Sequence, residues 1–122
     1  MMIPKHGSLR CETYLNFVRR LPCVFCDSRG GSLPIAAHHF PLKGRGFVDD
    51  TNACSACAMC HKRAHGERVE GRDPIAKNDQ EHAVLRTWRL FMEKATPVEW
   101  EAVSRARAKW YESQVFHNEV AS

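Results

Sequence analysis

Cys23-Val24-Phe25-Cys26, then His38-His39, then Asn52, then Cys57-Ala58-Met59-Cys60-His61-Lys62-Arg63-Ala64-His65 is the stretch whose reading decides the fold. Two Cys-x-x-Cys pairs about 30 residues apart form the arrangement of a tetrahedral zinc site that ties two distant turns together. Structural zinc of this kind contributes roughly 10 kcal/mol or more, enough to decide whether a small domain folds. Cys23, Cys26, Cys57 and Cys60 are therefore assigned as structural zinc ligands. A redox dithiol is the competing use, disfavoured because neither pair sits in an evident thioredoxin-like strand and helix. Cys11 reads as a helix residue and Cys54 as a buried strand thiol able to compete as a ligand.

The histidines lie between and beyond the cysteine pairs. In a strand His38 and His39 point to opposite faces, so one can bind a metal while its neighbour faces substrate. In a helix starting near Cys57, His61 and His65 stand four apart and project from one face. Three histidines converging on one ion leave coordination positions open for water and phosphate. Asn52 is a candidate to hold a reacting histidine in one tautomer through its side-chain carbonyl. The bland alternative is that all four histidines complete the zinc knuckles or face solvent.

Outward from the cassette, Tyr14, Leu15, Phe17, Val18 and Leu21 repeat at helical spacing, predicting a helix over 9–21 that ends at Pro22. Ile35 to Phe40, bounded by Pro34 and Pro41, suits a strand. Lys43-Gly44-Arg45-Gly46 reads as a flexible basic loop, and a second strand is expected from Asn52 to Ala56 after the turn-forming Asp49-Asp50-Thr51. A short helix then runs from Cys57 to about Gly66. Glu67 to Lys77 reads as a linker. Asn78 with Glu81 resembles a capping box opening a helix that carries Val84, Trp88, Phe91 and Ala95 on one face. Thr96-Pro97-Val98-Glu99 starts another, continued by Val103, Ala106 and Trp110. Trp88, Trp100 and Trp110 at this spacing suit a core or interface better than base stacking. The expected fold class is α+β. A single domain spans 1–122, with a zinc-held core over 9–66 and a helical extension over 78–118.

With 122 residues, the chain has six cysteines and a net charge of +4, giving a pI near 8.8. Residues 1–7 lack the apolar run of a secretory signal, and no segment approaches the roughly 20 apolar residues of a membrane span. A cytoplasmic location with reduced thiols is expected, where paired Cys-x-x-Cys motifs serve zinc more often than disulfides. The basic balance suits a polyanionic partner. Lys43, Arg45, Lys62 and Arg63 bracket the cassette as candidate contacts to backbone phosphates.

Taken together, His38-His39, Asn52 and Cys57-Ala58-Met59-Cys60-His61 with His65 resemble the HNH, or ββα-metal, nuclease family. Tyr14 to Cys23 and Ala37-His38-His39 further resemble phage proteins of the RecA-dependent nuclease type, so the likeness covers roughly 14–66. It implies a small zinc-stabilised ββα-metal core and hydrolysis of DNA phosphodiester bonds. His39 would be the general base, Asn52 would orient it or brace the loop between the strands, and His38, His61 and His65 would hold the catalytic divalent ion. That ion would be Mg2+ or Mn2+, or Ni2+ or Zn2+, which imidazoles suit better than they suit magnesium. The resemblance also implies phage or prophage DNA processing or recombination, with a recombinase filament as a partner. The alternative is a zinc-stabilised nucleic-acid-binding or recombination accessory module without hydrolysis.

Overall fold

A computed structural model describes residues 9–40 and 49–121. The chain is a small α+β unit of four helices and one two-stranded antiparallel sheet among those residues. In chain order the elements are α1 (Glu12–Arg19), β1 (Ala36–His39), β2 (Ala53–Ala56), α2 (Ala58–Ala64), α3 (Lys77–Lys94) and α4 (Pro97–Ala121).

Helix α1 forms because Tyr14, Leu15, Phe17 and Val18 give it one buried face, with Glu12 at the positive end of its dipole and Arg19 at the negative end. It starts later than expected. Cys11 is its extended N-cap rather than a helical residue, because its N–H is taken by Asp50 Oδ2 at 2.7 Å and the preceding Leu9 bridges Asp49. Strand β1 pairs with β2 in the register Ala36↔Ala56 to His39↔Ala53, inside the expected limits of both strands. Every residue of β2 is buried. Such a strand, covered on both faces, has no polar side to alternate with.

Helices α1 and α2 pack on both strands, α3 packs on β2, and α4 lies against α1. The main apolar core joins Tyr14, Phe17 and Val18 of α1 to Phe91 of α3 and Val103 of α4. Phe91 meets the rings of Tyr14 and Phe17 edge-on, each at 5.0 Å between centroids. Trp88 and Trp110 pack partly buried against this core, and Trp100 lies beside Trp88 at 6.2 Å. The tryptophans thus serve packing, as their spacing predicted.

The start of α3 differs from expectation as well. Helix α3 begins at Lys77 with Ala76 as a cap that makes no side-chain bond, so Asn78 and Glu81 form no capping box. A box does form at α4: Glu99 N–H donates to Thr96 Oγ1 at 3.1 Å and Thr96 N–H donates to Glu99 Oε1 at 2.9 Å, with Pro97 in the first helical position. No helix among the described residues is long and apolar enough to cross a membrane.

Candidate metal centres and the histidine cleft

The thiols of Cys23, Cys26, Cys57 and Cys60 lie within 4.8 Å of one another. Each pair is delivered by local backbone. In the first turn Asp27 N–H donates to the Cys23 carbonyl at 2.7 Å, with Asp27 in a left-handed conformation at φ 64°, which a short polar side chain tolerates. The turn is pinned to β2 by Val24 N–H on the Ser55 carbonyl at 3.0 Å and by the Ser55 hydroxyl on the Pro22 carbonyl at 2.6 Å. The second pair flanks the start of α2, Cys57 being its N-cap.

Two thiolates about 2.3 Å from one zinc at a tetrahedral angle stand about 3.8 Å apart; Cys26 Sγ and Cys57 Sγ are 3.8 Å apart. Burial, with the Cys23 thiol beside it, pushes the Cys60 thiol far up. Burial also raises Cys26. Burial opposes ionisation of Cys57 too, but hydrogen bonds from the Cys60 backbone and from the neighbouring thiols bring it below the ordinary thiol range. So tight a group of thiols can ionise fully only around a cation, and the four cysteines could hold a structural metal such as zinc. Cys54 is a strand residue, fully buried, its thiol raised by burial to about 12. It lies outside the four-cysteine group.

The second cluster is made of His38, His61 and His65, whose ring nitrogens also lie within 4.8 Å of one another. His61 Nε2 and His65 Nε2 are 3.3 Å apart, about the separation of two imidazole nitrogens sharing one tetrahedral ion. His38 is 1 % exposed, and its Nε2 meets Gln80 Oε1 at 2.8 Å. The Gln80 amide donates both its protons, to the Ala64 and Ile75 carbonyls, each at 2.9 Å. Its oxygen can therefore only accept, which places the His38 proton on Nε2 and the lone pair on Nδ1. That Nδ1 is buried and has no partner among the described residues. Burial lowers His38 to about 4, against which the Gln80 bond acts in the opposite direction. Burial lowers His61 as well, with His65 and His39 adding to the shift. Both rings are held neutral, the form that ligates metal.

Gln80 thus orients His38 and fixes its tautomer from a position 42 residues away, as a partner outside a metal site does for a ligating histidine. Replacing it with leucine should weaken divalent-ion binding at the histidine cluster by about 10- to 100-fold while leaving the four-cysteine zinc in place. Calorimetric titration of the zinc-loaded variant with Mn2+ or Ni2+ checks this, and wild-type affinity would sink the role.

His39 has a different partner. Its Nε2 is 2.9 Å from Asp50 Oδ1, and Asp50 Oδ2 accepts the Cys11 N–H. Burial pushes the Asp50 carboxyl up, but the His39 and Cys11 hydrogen bonds and nearby Arg10 outweigh it and leave the carboxyl below its ordinary value. Asp50 is therefore an ionised acceptor that draws the His39 proton to Nε2 and leaves Nδ1 to accept. Asn52 does not occupy this place. Its backbone braces the hairpin, accepting the Phe40 N–H and donating to the Asp49 carbonyl, both at 2.9 Å. Its side chain borders a separate hollow with Trp88 and Arg107.

His38, His39, Asp50, His61 and His65 border one cleft of about 620 Å³. His38 and His39 lean toward different partners, as adjacent strand residues must, yet both reach it at the end of β1. Its cationic border comes from Arg10 and Arg19 of the N-terminal region. Arg19 is already bonded to Glu12 at 2.7 Å. Arg63 is engaged on the other side of α2, its Nε donating to the Asp73 carbonyl at 2.7 Å and its guanidinium approaching Cys60 Sγ at 3.8 Å. Lys62 borders a separate depression with Cys26 and Glu70. Lys43 and Arg45 lie outside the described residues.

One connection joins the two clusters directly: Cys60 and His61 are consecutive residues of α2. Comparison with protein-family models, with curated proteins and with solved structures returned no match.

Proposed function

We propose that the protein is a metal-dependent endonuclease of the ββα-metal type that hydrolyses DNA phosphodiester bonds. The observation that carries this reading is the buried, unpartnered Nδ1 of His38 in a three-histidine cluster, with the His39–Asp50 pair on the same cleft. Most buried side-chain nitrogens have a hydrogen-bond partner, and a metal ion would supply one here. The order β1, β2, α2 agrees with the family resemblance, as does a four-cysteine group able to hold zinc.

On this reading His38, His61 and His65 hold a divalent ion, which supplies positive charge to the scissile phosphate and the leaving oxygen. Three imidazoles without a carboxylate favour Ni2+ or Zn2+ over Mg2+. His39 Nδ1 takes the proton from the attacking water, and the Asp50 carboxylate stabilises the imidazolium that results. Arg10 at the rim neutralises backbone charge. Products carry 5′ phosphates and 3′ hydroxyls.

Incubation with supercoiled, linear, single-stranded and branched DNA across Mg2+, Mn2+, Ni2+ and Zn2+ tests the proposal. Metal-dependent nicking is expected, with one zinc per chain retained through dialysis and a second ion bound more weakly. Binding without cleavage over the whole panel would instead leave a zinc-stabilised accessory module.

A further inference from the structure

A second cleft, of about 580 Å³, lies between Leu9–Arg10 and one face of α4. Its helical border is formed by Ala102, Arg105, Ala106, Lys109 and Trp110, residues three and four apart that share a single stripe of the helix. All of its charged borders are cationic: Arg10, Arg105 and Lys109. The small side chains of Ala102 and Ala106 open its floor, and Trp110 supplies an aromatic wall.

Arg10 borders this cleft and the histidine cleft alike. We infer that the two form one track, and that the α4 cleft binds the phosphate backbone of a DNA duplex running past the histidine site, with Arg10 contacting the strand where the clefts meet. The inference deepens the nuclease reading and rests on it for the identity of the polyanion. Charge complementarity selects that occupant: three cations and no carboxylate among the described residues border a concave, partly apolar surface. The ion pair that competes for Arg105 among the described residues is weak. Arg105 reaches Glu101 at 3.5 Å, with both side chains more than 70 % exposed, so a phosphate displaces it at little cost. The surface assigns DNA contacts to α4, which no sequence motif marked.

The test is equilibrium binding of a fluorescent DNA duplex to the zinc-loaded full chain without added divalent ion, so that the readout does not depend on cleavage. Arg105 and Lys109 are exposed on a helix surface, and the double variant R105Q/K109Q should fold normally by circular dichroism. Its affinity for the duplex should fall on the order of tenfold, and the slope of log affinity against log salt should decrease by about 2, one for each lost phosphate contact. The control R89Q/K94Q removes the same charge from exposed positions of α3 and should change affinity much less. Equal losses in both variants would reduce the effect to net charge and overturn the inference, as would an unchanged R105Q/K109Q. Wild-type protein that ignores DNA but binds anionic lipid vesicles would overturn it too. Protein that binds through this cleft yet cleaves nothing would defeat the nuclease proposal and leave the cleft standing.

Discussion

With the four cysteines as a zinc site, Cys60→Ser should abolish tight zinc retention and the cooperative folding of the β1–β2–α2 half. The reason lies in what that half buries. Around the hairpin and α2, one of the buried clusters consists of Cys23, Cys57, Cys60 and Ile35, so three of the four clustered cysteines make up most of that cluster. The aromatic cluster of α1, α3 and α4 is separate. A serine there leaves three thiol ligands where a structural zinc takes four. The loss should be several kcal/mol out of a stability of about 5–15 kcal/mol. The melting temperature should fall by on the order of 20 °C, with part of the helical signal surviving in the aromatic core. Metal analysis and a thermal melt followed by circular dichroism decide the matter. Retained zinc with a shift of only a few degrees would remove Cys60 from the ligand set.

His39→Ala should leave zinc content close to wild type, lower the melting temperature by several degrees and lower DNA cleavage by about 10²- to 10⁴-fold, the range a lost general base accounts for. The substitution also removes a hydrogen bond from Asp50, whose side chain is 3 % exposed, at a cost of about 1–3 kcal/mol. His39→Gln separates the two effects, because its amide can still donate to Asp50 but accepts no proton from water. Both variants should be inactive. Asp50→Asn should be impaired less, and the double variant His39→Ala/Asp50→Asn should be no worse than His39→Ala alone, because the pair acts as one unit. Undiminished plasmid cleavage by a folded His39→Gln protein would show that another group activates the water.

Much of the frame was legible because it is local. The two strands and α2 fall within their expected limits, since proline flanks, turn residues and cysteine spacing act over a few positions. The grouping of Cys23 with Cys26, Cys57 and Cys60 was legible from their spacing and that of His61 with His65 from helical periodicity, whereas the choice of His38 over His39 to join them came from the family resemblance. The start of α3 was not: Asn78 and Glu81 have the spacing of a box, but nothing in that spacing reveals that the helix has already begun at Lys77.

The partners of the histidines were hidden for two different reasons. Asp50 sat in a segment whose composition announced a turn, and Asp49 does make that turn, its Oδ1 accepting the Thr51 N–H at 2.8 Å and hydroxyl at 2.6 Å. That left its neighbour free for His39, a distinction between adjacent aspartates that composition cannot draw. Gln80 had no signal at all. It is a polar residue on a helix face that reads as solvent-facing until α3 is laid against β2, and only the three-dimensional contact makes its amide indispensable to His38. The cations around the cleft show the same limit: proximity in sequence suggested Lys62 and Arg63, whereas Arg10 reaches the cleft from the far side of α1.

Cys60 and His61 are neighbours on α2, so whatever fixes the axis of that short helix also aims His61 and His65 at His38. With zinc at the thiols, a change of ligand on the cysteine side should therefore be felt in the histidine cleft as well.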